Sequence, residues 1–205
     1  MIQRTKRMVR RTVWAIQKQL KSGEFEPEGV EVVFQGGRID RVDTMETDDG
    51  KLYVRVIDYK TGNTSFDLVS LYHGLQLQLM IYMDGALTVE QNKHKDKEVI
   101  PAGVFYYNIK DPMIQEKIDA DIETVQEKVL KELKMNGLVL KDKELVQKMD
   151  SSLVSIPVSF NKDGSFRKNS SVASKEQFDI LNRYVKTKIS HIRPVSYTHL
   201  TLPTN

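Results

Sequence analysis

Three charged residues suggest the chemistry of this chain: Asp40 in G-R-I-D-R-V-D (Gly37 to Asp43), and Asp58 and Lys60 in V-I-D-Y-K-T-G (Val56 to Gly62). Residues two apart on a strand share a face, so Asp58 and Lys60 project together while Tyr59 points the other way. If the strand bearing Asp40 is the neighbour, a second carboxylate converges on the first. Two carboxylates and a backbone carbonyl are hard oxygen ligands of the kind that suit Mg²⁺ or Mn²⁺. Such an ion polarises a phosphoryl oxygen, and a nearby ammonium stabilises charge developing on the phosphate, a combination suited to phosphodiester hydrolysis. Gln78 and Tyr82 lie four apart on a following helix and share a face, where an amide and a phenol can hold Lys60 or a DNA phosphate. The competing reading is an exposed strand-edge ion pair of little worth, with Asp40 paired to Arg38 or Arg41. Against it stands V-R-V-I-D-Y-K, an apolar strand that runs straight into the acid, where a buried charge needs a partner.

The elements that must position these residues follow from periodicity. Met8, Val9, Val13, Ile16 and Leu20 recur at helical spacing, predicting an amphipathic helix over 3–20 that stops at Gly23. Val30 to Asp43 reads as extended, interrupted at Gly36-Gly37, and pairs in hairpin geometry with Lys51 to Lys60 across the turn T-M-E-T-D-D-G. Leu68, Leu71, Leu75, Leu79 and Tyr82 predict one helix over 66–82, followed by a polar loop over 91–98. A strand is expected over 102–109, a charged helix over 114–135, a hairpin arm about the Asn161 to Gly164 turn, and a closing helix over 176–189. No internal repeat is present.

Composition bounds the rest. At 205 residues, with 40% hydrophobic and 29% charged residues, the chain is long enough for one domain with a real core and too apolar for disorder. No run approaches the roughly 18 apolar residues that span a bilayer, which predicts no membrane partner and a cytoplasmic location. Cysteine is absent, which excludes thiolate nucleophiles, disulfides and iron-sulfur ligation within this chain. Net charge is only +3, yet Arg4, Lys6, Arg7, Arg10, Arg11, Lys18 and Lys21 all precede the first acid, Glu24. That helix reads as a solvated face or as a phosphate-contacting surface.

In order, G-R-I-D-R-x-D, I-D-Y-K-T-G and a helix with Q-x-x-x-Y resemble the RecB-like branch of the PD-(D/E)XK nuclease superfamily. The F-E-P-E-G-V-E-V-V-F lead-in (Phe25 to Phe34) and G-L-Q-L-Q-L-M-I-Y look most like the AddB-type chains of bacterial AddAB helicase-nucleases. The resemblance runs from about Arg4 to Ile192. It implies an α/β, restriction-endonuclease-like core, a small mixed sheet flanked by the N-terminal helix and the 66–82 helix. It also implies Asp40 and Asp58 as metal-binding acids, the Tyr59 carbonyl as backbone ligand, Lys60 as the catalytic lysine, and Gln78 and Tyr82 as the supporting motif. Mg²⁺ or Mn²⁺ is the implied cofactor, DNA the substrate, an AddA-like helicase subunit the partner, and exonuclease action in double-strand-break repair the task. Two alternatives remain: a nuclease-like DNA-binding or docking module without turnover, and a nuclease of CRISPR spacer acquisition or phage recombination.

The sequence departs from the pattern twice. The branch carries a histidine on a helix upstream of G-R-I-D, whereas the first histidine here is His73; and the AddB-type proteins hold an iron-sulfur cluster whose cysteines are missing. Both absences predict a nuclease domain over 1–194 that is incomplete at both ends, with the cluster ligands outside it. Val195 to Thr204 (V-S-Y-T-H-L-T-L-P-T) reads as the translation of a transposon mosaic end joined to a sequencing adaptor, so 195–205 is set apart as an artefactual tail and His199 is given no role. His73 and His94 read as ordinary helix and surface histidines, and Glu31 as a surface carboxylate or a further metal ligand.

Overall fold

Strand β1 (Glu26–Phe34) is followed by β2 (Gly37–Glu46) and β3 (Lys51–Lys60), an antiparallel meander in a computed structural model that describes residues 2–114 and 121–191. Periodicity predicts two strands here. The Gly36-Gly37 pair proves to be a full chain reversal, with Gly37 at a φ of +147°, so the interrupted segment is itself a hairpin.

After β3 the chain crosses over through α2 (Leu68–Tyr72) and α3 (Gln78–Lys93) into β4 (Glu98–Asn108), which pairs parallel with β3. The single helix expected over 66–82 is broken. Gly74 takes a φ of +80° and donates to Leu71, closing α2, and α3 then runs on through Gln91, Asn92 and Lys93, which were expected in a loop. The apolar spacing hid the break because it continues on both sides, although Leu75 in the gap is 77% exposed.

Beyond β4 come α4 (Ile122–Glu132), β5 (Asn136–Leu140), α5 (Lys143–Met149), β6 (Val172–Ala173) and α6 (Lys175–His191). Part of the helix expected over 114–135 lies outside the described residues, as does the 195–205 tail. The expected hairpin arm reduces to one antiparallel bridge, Phe160 to Phe166. The result is one six-stranded mixed sheet in the order β1-β2-β3-β4-β5-β6, with β4 and β5 antiparallel and β5 and β6 parallel. In β4 every residue from Ile100 to Tyr107 is buried, as a strand covered on both faces requires, while β1 at the edge buries none. Helix α3 packs along β1 to β4, and α6 packs on α3.

The N-terminal helix α1 (Ile2–Lys21) flanks this body differently from expectation. It buries Thr12, Ala15 and Gln19, with Ala15 joining Val129 and Leu133 in a small core of its own. Val9 and Val13, on the stripe expected to face the core, are 53% and 49% exposed.

Candidate active site

The β2–β3 ladder sets the geometry. Arg41 pairs with Ile57 and Val42 with Val56, so one step further along the two strands stand Asp40 and Asp58. Asp40 is fixed by the amide of Tyr59, which donates to its Oδ2 at 2.8 Å. Asp58 is 3% exposed at the end of the apolar run Val54, Val56 and Ile57, so the strand that feeds the core delivers the acid at its edge.

Lys60 lies on the same strand face as Asp58, and its Nζ is 2.6 Å from Asp58 Oδ2. The two form a close ion pair in which the carboxylate is buried and the ammonium only partly so. The ammonium is turned toward α3, where it donates to Gln78 Oε1 at 2.8 Å; Gln78 Nε2 in turn donates to the Tyr82 hydroxyl at 2.8 Å. Tyr82 is held edge-on by Phe34, ring centroids 5.9 Å apart. All six sequence-derived positions, Asp40, Asp58, Tyr59, Lys60, Gln78 and Tyr82, therefore meet at one edge of the sheet.

Tyr106 was not anticipated. It pairs with Asp58 across β3–β4, is buried, and carries Lys60 Nζ 5.4 Å from its ring centroid. An ammonium over a tyrosine face is attracted by the ring quadrupole. The sequence shows only an aromatic strand here, and parallel pairing across a crossover cannot be read from spacing alone. Burial pushes the Asp58 carboxyl above the ordinary aspartate range; Lys60 opposes that shift and Asp40 adds to it. Burial likewise raises the Tyr106 hydroxyl, with Asp58 and then Tyr82 contributing.

The alternative partners for Asp40 are engaged elsewhere. Arg38 pairs with Glu31 at 2.9 Å, and both are largely exposed. Arg41 binds Asp43 in a two-pronged contact, Nε to Oδ1 at 2.6 Å and Nη2 to Oδ2 at 2.7 Å, and reaches the Tyr59 hydroxyl at 3.3 Å. Arg55 adds a 2.8 Å bond to Asp43 Oδ2 and lies 4.8 Å from the centre of the Phe25 ring. Arg41, Asp43 and Arg55 alternate out of phase with Asp40 and Asp58, so this buried ion cluster occupies the opposite face of the sheet. His73 caps α2 beside Tyr72, and His94 lies 3.7 Å from Glu90, as ordinary helix-end residues do.

Among the described residues no three histidine, aspartate or glutamate side chains converge as metal ligands, so protein donors would be the two carboxylates and the Tyr59 carbonyl. Two strand-borne carboxylates, one of them buried, beside a backbone carbonyl are a donor set that Mg²⁺ or Mn²⁺ accepts, with water completing the shell.

A mixed sheet that brings paired acids and a strand-borne lysine to one edge, beneath a crossover helix, defines the restriction-endonuclease-like class of α/β core. The chain belongs to the PD-(D/E)XK nuclease superfamily, whose family model matches residues 1–200. It is similar to the B subunit of the ATP-dependent helicase/deoxyribonuclease of Lachnoclostridium phytofermentans, 43% identical over 89% of this chain and 17% of that protein. The protein of the same name from Clostridioides difficile is 39% identical over 92% of this chain and 18% of its own length. That from Alkaliphilus metalliredigens is 37% identical over 94% and 19%. The chain thus spans less than a fifth of the relatives it matches.

Proposed function

We propose that this chain is the nuclease domain of an AddB-type helicase-nuclease chain, spanning 1–194, which hydrolyses DNA phosphodiesters in the cytoplasm as part of double-strand-break repair. An AddA-like helicase would be its partner, and an iron-sulfur cluster would belong to parts of that protein outside this cysteine-free chain. The observation that carries the reading is the convergence of Asp40, Asp58 and Lys60 on one edge, backed by Gln78 and Tyr106.

Asp40, Asp58 and the Tyr59 carbonyl would hold Mg²⁺ or Mn²⁺, which when bound supplies Lewis-acid polarisation of the phosphate and a more acidic water. Asp40 is kept in place by the Tyr59 amide, so its carboxylate is oriented before any ligand arrives. Asp58 must be ionised to serve, and its burial makes that ionisation costly unless a cation compensates. Lys60 presents an ammonium beside the scissile phosphate, where it orients the attacking water and stabilises charge on the phosphoryl oxygens. Gln78 holds that ammonium by one hydrogen bond and is itself fixed by Tyr82.

The test is cleavage of end-labelled linear DNA with Mg²⁺ or Mn²⁺. Asp58→Ala and Lys60→Ala are each expected to lower the rate by about 10²-fold or more, the usual cost of losing one group that stabilises transition-state charge. Cutting that persists in both variants would overturn the site assignment. A non-catalytic DNA-binding module would instead bind DNA with no metal-dependent cleavage in the unaltered chain.

A further inference from the structure

The basic helix α1 has a face that the proposed site does not use. Arg7, Arg11, Trp14, Lys18 and Lys21 stand at intervals of four, three, four and three residues, which places them on one stripe along the helix. Arg10 borders it. The stripe spans fourteen residues, about 21 Å at 1.5 Å per residue. Lys18 and Lys21 are exposed, and among the described residues neither they nor Arg4, Lys6 and Arg10 have an acidic partner. Trp14 is half-buried: it packs on the Ala15, Val129 and Leu133 cluster and keeps part of its surface in solvent.

One end of the stripe is tied to the edge that carries the site. Arg7 Nε and Arg11 Nη1 lie 3.2 and 2.6 Å from the Asp111 carboxylate, and Arg11 also donates to the Pro112 carbonyl at 2.7 Å. Asp111 is three residues past Asn108, the β4 residue paired with Lys60, so at most about 11 Å of backbone separates the anchor from the site-bearing rung. Two cations share that single acid, which leaves even the anchored end positive. At the other end, just past Lys21, the Glu24 amide donates to the Lys148 carbonyl at the end of α5.

We propose that this stripe binds single-stranded DNA, with Arg7, Arg11, Lys18 and Lys21 contacting phosphates and Trp14 taking the face of an unstacked base. Cations that track a backbone, interrupted by an aromatic platform, are the pattern by which proteins hold single strands without sequence preference. A duplex keeps its base faces stacked and offers Trp14 nothing. The inference rests on the nuclease reading for its substrate, since the strand would run along α1 toward Lys60.

Trp14 is the chain's only tryptophan, so its fluorescence reports the contact directly. The full chain carrying Asp58→Ala is titrated in EDTA with an oligothymidylate, which measures binding with cleavage disabled. Saturable quenching is expected, with log K falling on log salt by about 0.7 for each phosphate contact. Charge reversal at the exposed pair, Lys18→Glu with Lys21→Glu, is expected to weaken binding about tenfold or more at low salt and to flatten the salt slope by about 1.4. Absence of quenching, equal quenching by a duplex of the same length, or an affinity untouched by the double reversal would each overturn the proposal. Circular dichroism of the reversed variant confirms that the helix is intact. Metal-dependent cleavage by the unaltered chain is scored separately, so loss of cutting with retained quenching condemns the nuclease reading and spares the stripe.

Discussion

At the level of single residues, Asp58 is a carboxylate whose burial opposes its charge. Burial raises its pKa, so the acid limb of the pH–rate profile is expected above the range of a free aspartate if, as proposed, cleavage needs the carboxylate. The stability sign runs the other way. A carboxyl with a raised folded-state pKa favours the fold below its unfolded value and loses that contribution as pH rises through the folded one. Asp58→Asn is therefore expected to abolish cleavage yet raise the melting temperature at pH 8. That gain should vanish at pH 4, and differential scanning fluorimetry at the two pH values checks it. Asp58 and Lys60 were legible because a strand has period two, and Gln78 with Tyr82 because a helix brings i and i+4 together. Tyr106 was not legible, since its contact with Lys60 depends on a parallel pairing between residues 48 positions apart.

At the level of elements, the meander holds Asp40 against Asp58 only if β2 and β3 keep their register. A slip of one residue would send Asp40 to the opposite face. The Arg41–Asp43–Arg55 cluster bridges the two strands on that opposite face, with Asp43 fully buried and bound by both guanidinium groups. Removing one partner of such a cluster leaves buried charge uncompensated, so Asp43→Ala is expected to cost about 3–5 kcal/mol in urea unfolding. The cluster was invisible in the sequence, where G-R-I-D-R-V-D gives no sign of which acid meets which arginine. Strand β5 escaped for a different reason. No expectation was drawn for 136–140, where Gly137 is needed within the strand: a Cβ there would fall 1.9 Å from the Val104 carbonyl oxygen. The α2–α3 break and the exposed apolar stripe of α1 likewise show that periodicity fixes a helix's existence better than its ends or its buried side.

At the level of the whole molecule, the candidate site stands where two central strands end: β3 and β4 lie side by side in the middle of the sheet, and the Asp58–Tyr106 and Lys60–Asn108 pairs close their shared ladder there. A cation held there binds only the folded chain, so 1 mM Mn²⁺ is expected to raise the melting temperature, by linkage, and Asp40→Ala or Asp58→Ala to remove the increase. A rise that survives both substitutions would place the ion elsewhere. The two halves of the site also differ in how far the chain must travel to build them. Asp40 and the Tyr59 amide are 19 residues apart within one antiparallel pair, whereas Lys60 meets its Tyr106 cover only after the α2–α3 crossover has brought β4 alongside. Short loops close sooner than long ones and parallel pairing is slow, so refolding should unite the two acids first and shield the lysine last. Pulsed hydrogen exchange reads this order as early protection of β2–β3 amides and late protection of β4. An emerging chain would then acquire the half proposed to bind a cation before the half proposed to stabilise a phosphate.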